Sequence, residues 1–201
     1  MSNSQSSNNL YPVFFKMEQL NTLIVGGGNV GLEKLESLLR NSPQAPISLV
    51  AMAIDPRIKE IQQGYPNLKL FEREFRIEDL NNINIALLAT GNRQTNKKIR
   101  LLARSRNIPV NVADTPDLCD FYLGSVVAKG PLKIGISTNG LSPTFAKRFR
   151  QVLEEVLPDE TSQLLGNLHT IRDRLKGDFQ YKVKKLNEYT SQLVAEVKEN
   201  K

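Results

Sequence analysis

From residue 22 onward, short apolar runs alternate with segments of helical periodicity, and nothing else in the chain restricts its possible folds so strongly. The runs are TLIV (22–25), ISLVAM (47–52), LKLF (68–71), NIALLAT (84–90) and PVNVA (109–113). Between them, GLEKLESLLR, DPRIKEIQQ, IEDLNN and NRQTNKKIRLLARSRN read as helices of varied length. Parallel neighbours need a crossover of helical length, so four successive strand, helix, strand units predict a parallel, doubly wound α/β sheet with right-handed crossovers.

After Asp114 the pattern changes. FYLGSVVAKGPLKIGIST holds two β-rich runs around the turn-forming Lys129-Gly130-Pro131, the signature of an antiparallel pair. Ser142 and Pro143 then read as a cap and first helical residue, opening a helix through TFAKRFRQVLEEVL that Pro158 terminates. Beyond it, Leu164, Leu168, Ile171 and Leu175 share one helical face, and Phe179, Val183, Leu186, Leu193 and Val197 share another. The C-terminal third is therefore expected to be helical.

TLIV runs directly into Gly26-Gly27-Gly28-Asn29-Val30-Gly31, a G-x-G-x-x-G pattern between a predicted strand and a predicted helix. Gly26 serves the tight turn, Gly28 the close approach of a pyrophosphate, and Gly31 the packing of helix on strand. Asn29 and Val30 open the helix, whose N-terminus favours the anion. The acidic residue that usually meets the ribose hydroxyls is missing from the end of the second strand, because Asp55 comes about three residues late. No arginine follows Met52 directly either, so NAD and NADP both stay open on the residues alone. Ligands of open α/β sheets bind beyond the carboxyl ends of the strands. That rule selects Thr90, Gly91 and Asn92 after the fourth strand, and Asp114 after the fifth, as neighbours of a dinucleotide.

Composition narrows the remaining classes. One cysteine and one histidine in 201 residues leave no disulfide framework and no Cys/His metal site, and a reducing, cytoplasmic setting fits. The polar opening, residues 1–9, reads as a disordered N-terminal segment without the apolar core of a secretory signal. No run approaches the roughly 18 apolar residues of a membrane span, so no membrane is expected. The net charge of +6 favours an anionic partner, but Lys and Arg are dispersed and Trp is absent, which argues against nucleic acid and for a polyanionic small molecule.

Four segments in order, LYPVFFKMEQLNTLIVGGGNVGLEK, LLATGNRQTN, NVADTPDLCDF and GPLKIGISTNGLSPTFAKRFR, span residues 10 to 150. Through them the chain resembles the precorrin-2 dehydrogenase family, the dehydrogenase and ferrochelatase portion of siroheme synthases. The resemblance implies NAD-dependent oxidation of precorrin-2 to sirohydrochlorin, in some members followed by insertion of ferrous iron. It also implies a homodimer. The implied division is a Rossmann domain at 10–113, a β-rich dimerisation region at 114–142 and a helical C-terminal domain at 143–201. The methyltransferase domain of the longer siroheme synthases is not expected. Resemblance carries the family's catalytic aspartate to Asp114 and sets the STNG turn, Ser137, Thr138, Asn139 and Gly140, against the tetrapyrrole.

NVADTPDLCDF holds three aspartates and the sole cysteine. Asp114 ends a strand beside the expected nicotinamide, and a large apolar ring closing over it would raise its pKa by desolvation, as a general base requires. Thr115 and Pro116 read as the cap and first residue of a short helical turn, with Asp117 and Asp120 in structural roles and Cys119 as a small buried hydrophobe. The tetrapyrrole is a polycarboxylate, so Lys147 and Arg148 on the helix opened by Ser142 are candidate anion contacts. Between 172 and 185 six basic residues meet only two acidic ones, equally readable as a solvated helix surface. His169 lies on the flank of its helix and reads as a surface residue; no resident metal site is expected.

Two other functions share these motifs. One is a non-catalytic Rossmann module sensing dinucleotide or tetrapyrrole, which would bind ligand without producing NADH. The other is a chelatase without redox function, which would insert metal into sirohydrochlorin with no need of NAD.

Overall fold

The computed structural model describes residues 8–191. The expectations for residues 1–7, Leu193 and Val197 lie outside the described residues. The chain divides into two compact units, Met1–Ser125 with Ile136–Ala146, and Val126–Gly135 with Lys147–Lys201.

The first unit is built on a five-stranded sheet of β1 (Thr22–Val25), β2 (Ile47–Ala51), β3 (Leu68–Glu72), β4 (Ile85–Leu88) and β5 (Val110–Val112), in the order β3-β2-β1-β4-β5. All neighbours run parallel, with Thr22 level with Ile47 on one side and Ile85 on the other. This is the α/β Rossmann arrangement, and the order reverses between β1 and β4. Both faces of a parallel sheet are covered, which is why TLIV and IALL are unbroken apolar runs rather than alternating ones.

Helices α1 (Asn29–Asn41), α2 (Pro56–Gln62) and α3 (Arg93–Arg104) provide that cover. Alternate side chains of β1 go to opposite faces. Ile24 joins Leu32, Leu35 and Leu39 of α1 and Ile58 of α2, whereas Leu23 and Val25 join Ile99 and Ala103 of α3. Leu35 and Ile58 are fully buried, each contributing about 1.5–3 kcal/mol. The helices start where expected: Asp55 accepts a hydrogen bond from the Arg57 N–H ahead of α2, and Asn92 accepts one from the Thr95 N–H ahead of α3.

IEDLNN departs from expectation. It forms only a 3-10 turn at Ile77–Leu80, because six residues are too few to nucleate a helix and Asp79 is held from outside it. The Asp79 carboxylate accepts from both Arg73 Nη atoms at 2.8 and 2.6 Å and from the Arg76 N–H at 2.8 Å. Met52 likewise falls outside β2. There the chain turns back, and the Asp55 N–H donates to the Gly27 carbonyl at 2.9 Å.

A separate two-stranded sheet pairs β6 (Ser125–Lys129) with β7 (Leu132–Ile136). The loop between them is Gly130-Pro131, with Gly130 at φ +54°. Proline fixes a negative φ at the second position, so the turn is of the II′ type, whose twist suits a hairpin.

Helices α4 (Pro143–Val156), α5 (Thr161–Arg174) and α6 (Phe179–Thr190) follow. Ser142 Oγ accepts from the Phe145 N–H at 3.2 Å, the expected cap, and Asp178 does the same for α6 through the Tyr181 N–H at 2.8 Å. The stripes read on α5 and α6 are less buried than their periodicity suggests. Leu164 is 41% exposed and Ile171 37%, and neither helix contributes a buried residue. Two helices packed on one another cover only part of each stripe. Among the described residues no helix is long and apolar enough to cross a membrane.

Candidate functional site

β1 ends at Val25 and the chain reverses at Gly26, whose φ of +120° only glycine adopts without strain. A Cβ there would lie 2.2 Å from the Ala89 carbonyl oxygen, and one on Gly31 would lie 2.1 Å from that of Gly26. Gly27, to which sequence reasoning gave no role, is equally confined, 2.6 Å from the Ala53 carbonyl. Gly28 differs: a Cβ there would meet nothing within 4 Å. It is also the cap of α1 without a capping side chain, so the N–H groups of Asn29, Val30 and Gly31 are left for an external acceptor. Three glycines that fit backbone to backbone and one that borders open space form a cradle suited to a pyrophosphate.

Across the switch point, the Ala89 N–H donates to the Val25 carbonyl at 2.7 Å, which brings Thr90, Gly91 and Asn92 beside the glycine turn. Gly91 has φ +70° and Asn92 caps α3. Thr90 Oγ1 donates to Asn96 Oδ1 at 2.6 Å and accepts from the Asn92 N–H at 3.2 Å. Asn96 is only 3% exposed and stands on the face of α3 that buries Ile99 and Ala103. Sequence reasoning missed it, although a polar residue in phase with an apolar stripe was a visible signal.

In the loop after β2, Asp55 is held locally. It caps α2 and accepts from Arg57 Nε at 3.0 Å and Nη2 at 2.6 Å, which holds its carboxyl down at about 2. Arg57 Nη2 also donates to Asn29 Oδ1 at 2.6 Å, so an arginine does reach the start of α1, from five residues beyond Met52.

On the other side of β4, the Ala113 N–H donates to the Leu88 carbonyl at 2.9 Å and the chain leaves β5 at Asp114. Asp114 is exposed and left-handed, φ +53°, a region in which Asp and Asn are the commonest non-glycine residues. Its carboxylate has no partner among the described residues of its unit.

The neighbours of Asp114 are all engaged. Asp117 pairs with Arg93 at 2.6 Å, and that guanidinium lowers its pKa. Asp120 accepts from Arg100 Nη2 at 3.1 Å and from the Val110 N–H at 3.0 Å. Cys119 Sγ lies 3.2 Å from both the N and the O of Val112, and burial pushes its thiol up, away from the reactive thiolate. Thr115 does not cap with its side chain as expected; its hydroxyl donates to the Ala113 carbonyl at 3.1 Å, and Pro116 opens the 3-10 turn Pro116–Leu118.

Within the same unit, the STNG turn is tied internally. Ser137 Oγ accepts from the Asn139 N–H at 3.2 Å and Thr138 Oγ1 from the Ser142 N–H at 3.2 Å; Asn139 and Gly140 have φ +52° and +77°. Asn8 Nδ2 reaches Ser137 Oγ at 3.4 Å. Lys147 and Arg148 belong to the other unit, exposed on α4, with Arg148 donating to Gln151 Oε1 at 3.1 Å. His169, also exposed, faces Asp173 at 3.0 Å one turn along α5.

Comparison with known proteins accords with this construction. The family model described as putative NAD(P)-binding matches residues 13–125, and that of the sirohaem biosynthesis protein central region matches residues 129–155. The siroheme synthase of Psychrobacter arcticus is 35% identical over 175 residues, 87% of this chain and 31% of its own. That of Vesicomyosocius okutanii is 35% identical over 173 residues, 85% and 36% respectively, and that of Nitrosomonas europaea 32% over 168, 84% and 35%. The chain thus spans about a third of the length of the curated relatives it matches. A solved structure of SirC, precorrin-2 dehydrogenase, shares the fold with a TM-score of 0.72 over 89% of this chain and 88% of that one, at 24% identity. The chain therefore belongs to the putative NAD(P)-binding family, in the form that siroheme synthases carry.

Proposed function

We propose that the protein oxidises precorrin-2 to sirohydrochlorin with NAD, and that Asp114 takes up the proton. One observation carries the assignment. Of the three aspartates that follow β5, beside the proposed dinucleotide site, Asp114 alone has no partner among the described residues of its unit, while Asp117 and Asp120 are spent on arginines.

Each group then has a task. The α1 N–H groups above Gly28 bind the pyrophosphate, and the bond from Thr90 to Asn96 stiffens the loop against which the nicotinamide end lies. Bound NAD supplies the hydride acceptor. Asp114 receives the accompanying proton on a carboxylate oxygen; it is exposed just past the end of β5, in a left-handed backbone conformation. The STNG turn of residues 137 to 140 is a proposed tetrapyrrole contact, and Lys147 and Arg148, in the other unit, are each proposed separately as anion contacts, since a polycarboxylate calls for N–H donors and cations. The proposed division of labour is the Rossmann domain 10–113, a dimerisation region 114–142 and a helical domain 143–201, acting as a homodimer in the cytoplasm.

Anaerobic incubation with precorrin-2, with and without NAD, tests the assignment. NADH and sirohydrochlorin absorbance should appear only with NAD. Asp114→Asn should fold, bind NAD and lose turnover by at least about a hundredfold, the usual weight of a general base; undiminished turnover would remove Asp114 from the reaction. Ferrous or cobaltous ion added afterwards reads metal insertion separately, the second activity that the resemblance implies.

A further inference from the structure

NAD-selective Rossmann sites place a carboxylate at the end of the second strand, where it accepts the ribose hydroxyls and repels a 2′-phosphate. Here β2 ends at Ala51 and is followed by Met52 and Ala53, both exposed, with no acidic residue among the three. The first carboxylate, Asp55, is turned away into α2: its oxygens accept the Arg57 N–H at 3.0 Å, Arg57 Nε at 3.0 Å and Arg57 Nη2 at 2.6 Å. The group presented at this corner is instead a guanidinium. It is tied on one edge to Asp55 and on Nη2 to Asn29, the first residue of α1, and its side chain is 57% exposed. Nη1 has no acceptor among the described residues of the unit.

On the reading that this site holds a dinucleotide, we infer that Arg57 makes it accept a 2′-phosphate on the adenosine ribose, so that the chain binds NADP as well as NAD. Three things favour the phosphate. The guanidinium is already oriented by two partners, so little rotamer freedom is lost on binding. The carboxylate nearest to it is neutralised by the same arginine. The N-terminus of α1 adds partial positive charge beside Asn29. Glu36 and Glu60 also bear on the guanidinium, and their field offsets part of this gain. The expected result is therefore tolerance of NADP, not exclusion of NAD.

Calorimetric titration of the full chain with NAD and with NADP decides the matter without any turnover. The two dissociation constants should lie within about tenfold of one another, and Arg57→Gln should weaken NADP by about tenfold or more while moving NAD by less than about threefold. Arg57→Lys, which keeps the charge but not the fork, should fall between. All variants retain the backbone N–H that Asp55 caps, and a thermal melt checks that they fold. NADP binding weaker than NAD by more than about a hundredfold overturns the inference and leaves the dinucleotide site intact. Equal weakening of both nucleotides by Arg57→Gln moves Arg57 to the pyrophosphate and overturns it too, as does no weakening of either. Failure of both nucleotides to bind the unaltered protein overturns the dinucleotide reading itself.

Discussion

A methyl group would act in opposite ways on Gly28 and Gly31, although they stand three residues apart in one turn. At Gly31 it would press into the Gly26 carbonyl at 2.1 Å, where backbone on both sides cannot yield. Gly31→Ala should therefore cost about 3 kcal/mol or more in urea denaturation, the upper range of overpacking. At Gly28 the backbone, φ −87° and ψ −165°, suits any residue and the space beyond is open. Gly28→Ala should leave stability within about 1 kcal/mol and weaken NAD at least about tenfold, because the methyl takes the place of the approaching phosphate. An undiminished NAD affinity in Gly28→Ala would show that the open face of the turn is not where the dinucleotide rests. At this scale the sequence was informative wherever a residue type has one dominant reason to be present. The glycine spacing and the strand-end position of Asp114 are such cases. It was uninformative for Arg57, whose arrival at Asn29 depends on how α2 packs, and for Asn96, whose partner Thr90 lies six residues earlier across a turn.

Elements were legible in proportion to how fully they are buried. Strands covered on both faces, such as β1 and β4, must be continuous apolar runs; these and the edge strand β3, of which only Leu68 is buried, could all be bounded to within two residues. Helical periodicity identifies a face but not what covers it, and the stripes on α5 and α6 accordingly said nothing of their partial exposure. Helix starts were legible because caps are local chemistry, and α2 makes that chemistry measurable. The Arg57 guanidinium holds the Asp55 carboxyl at about 2, below the ordinary 3.8. A group whose pKa is depressed in the folded state adds stability that is complete above its unfolded pKa and is lost as pH falls through the folded value. The cap and clasp of α2 should therefore remain intact at pH 5 and loosen between about 4 and about 2. In an NMR titration the Asp55 carboxyl and the Arg57 amide should move together with a midpoint near 2, and Asp55→Asn should keep the cap but abolish the step. A midpoint near 4 would mean that the clasp does not persist in solution.

At the scale of the whole molecule, the β6/β7 hairpin is where the proposed homodimer can be tested. Two strands alone are marginal in water, and among the described residues this sheet has no third strand. Of its ten strand residues only Val127 is buried. In the other unit, Tyr11, Val13, Phe14 and Phe15 form an exposed apolar stretch, Tyr11 at 87% exposure. Exposed apolar segments and short two-stranded ribbons are each a common mark of an interface, and a second copy would bring an identical ribbon with the self-complementarity a two-fold axis needs. Sedimentation equilibrium should accordingly give twice the 22.6 kDa of the chain at micromolar concentration. Amides of Val126 to Ala128 and Lys133 to Gly135 should exchange slowly in the dimer and quickly once dilution separates it, because strand pairing and association are then one event. NAD binding should survive that dilution, since the glycine turn, Thr90 and Asn96 all lie in one unit of a single copy. A mass of 22.6 kDa with slowly exchanging hairpin amides would mean that the ribbon is stable unaided, and the homodimer would have to be given up.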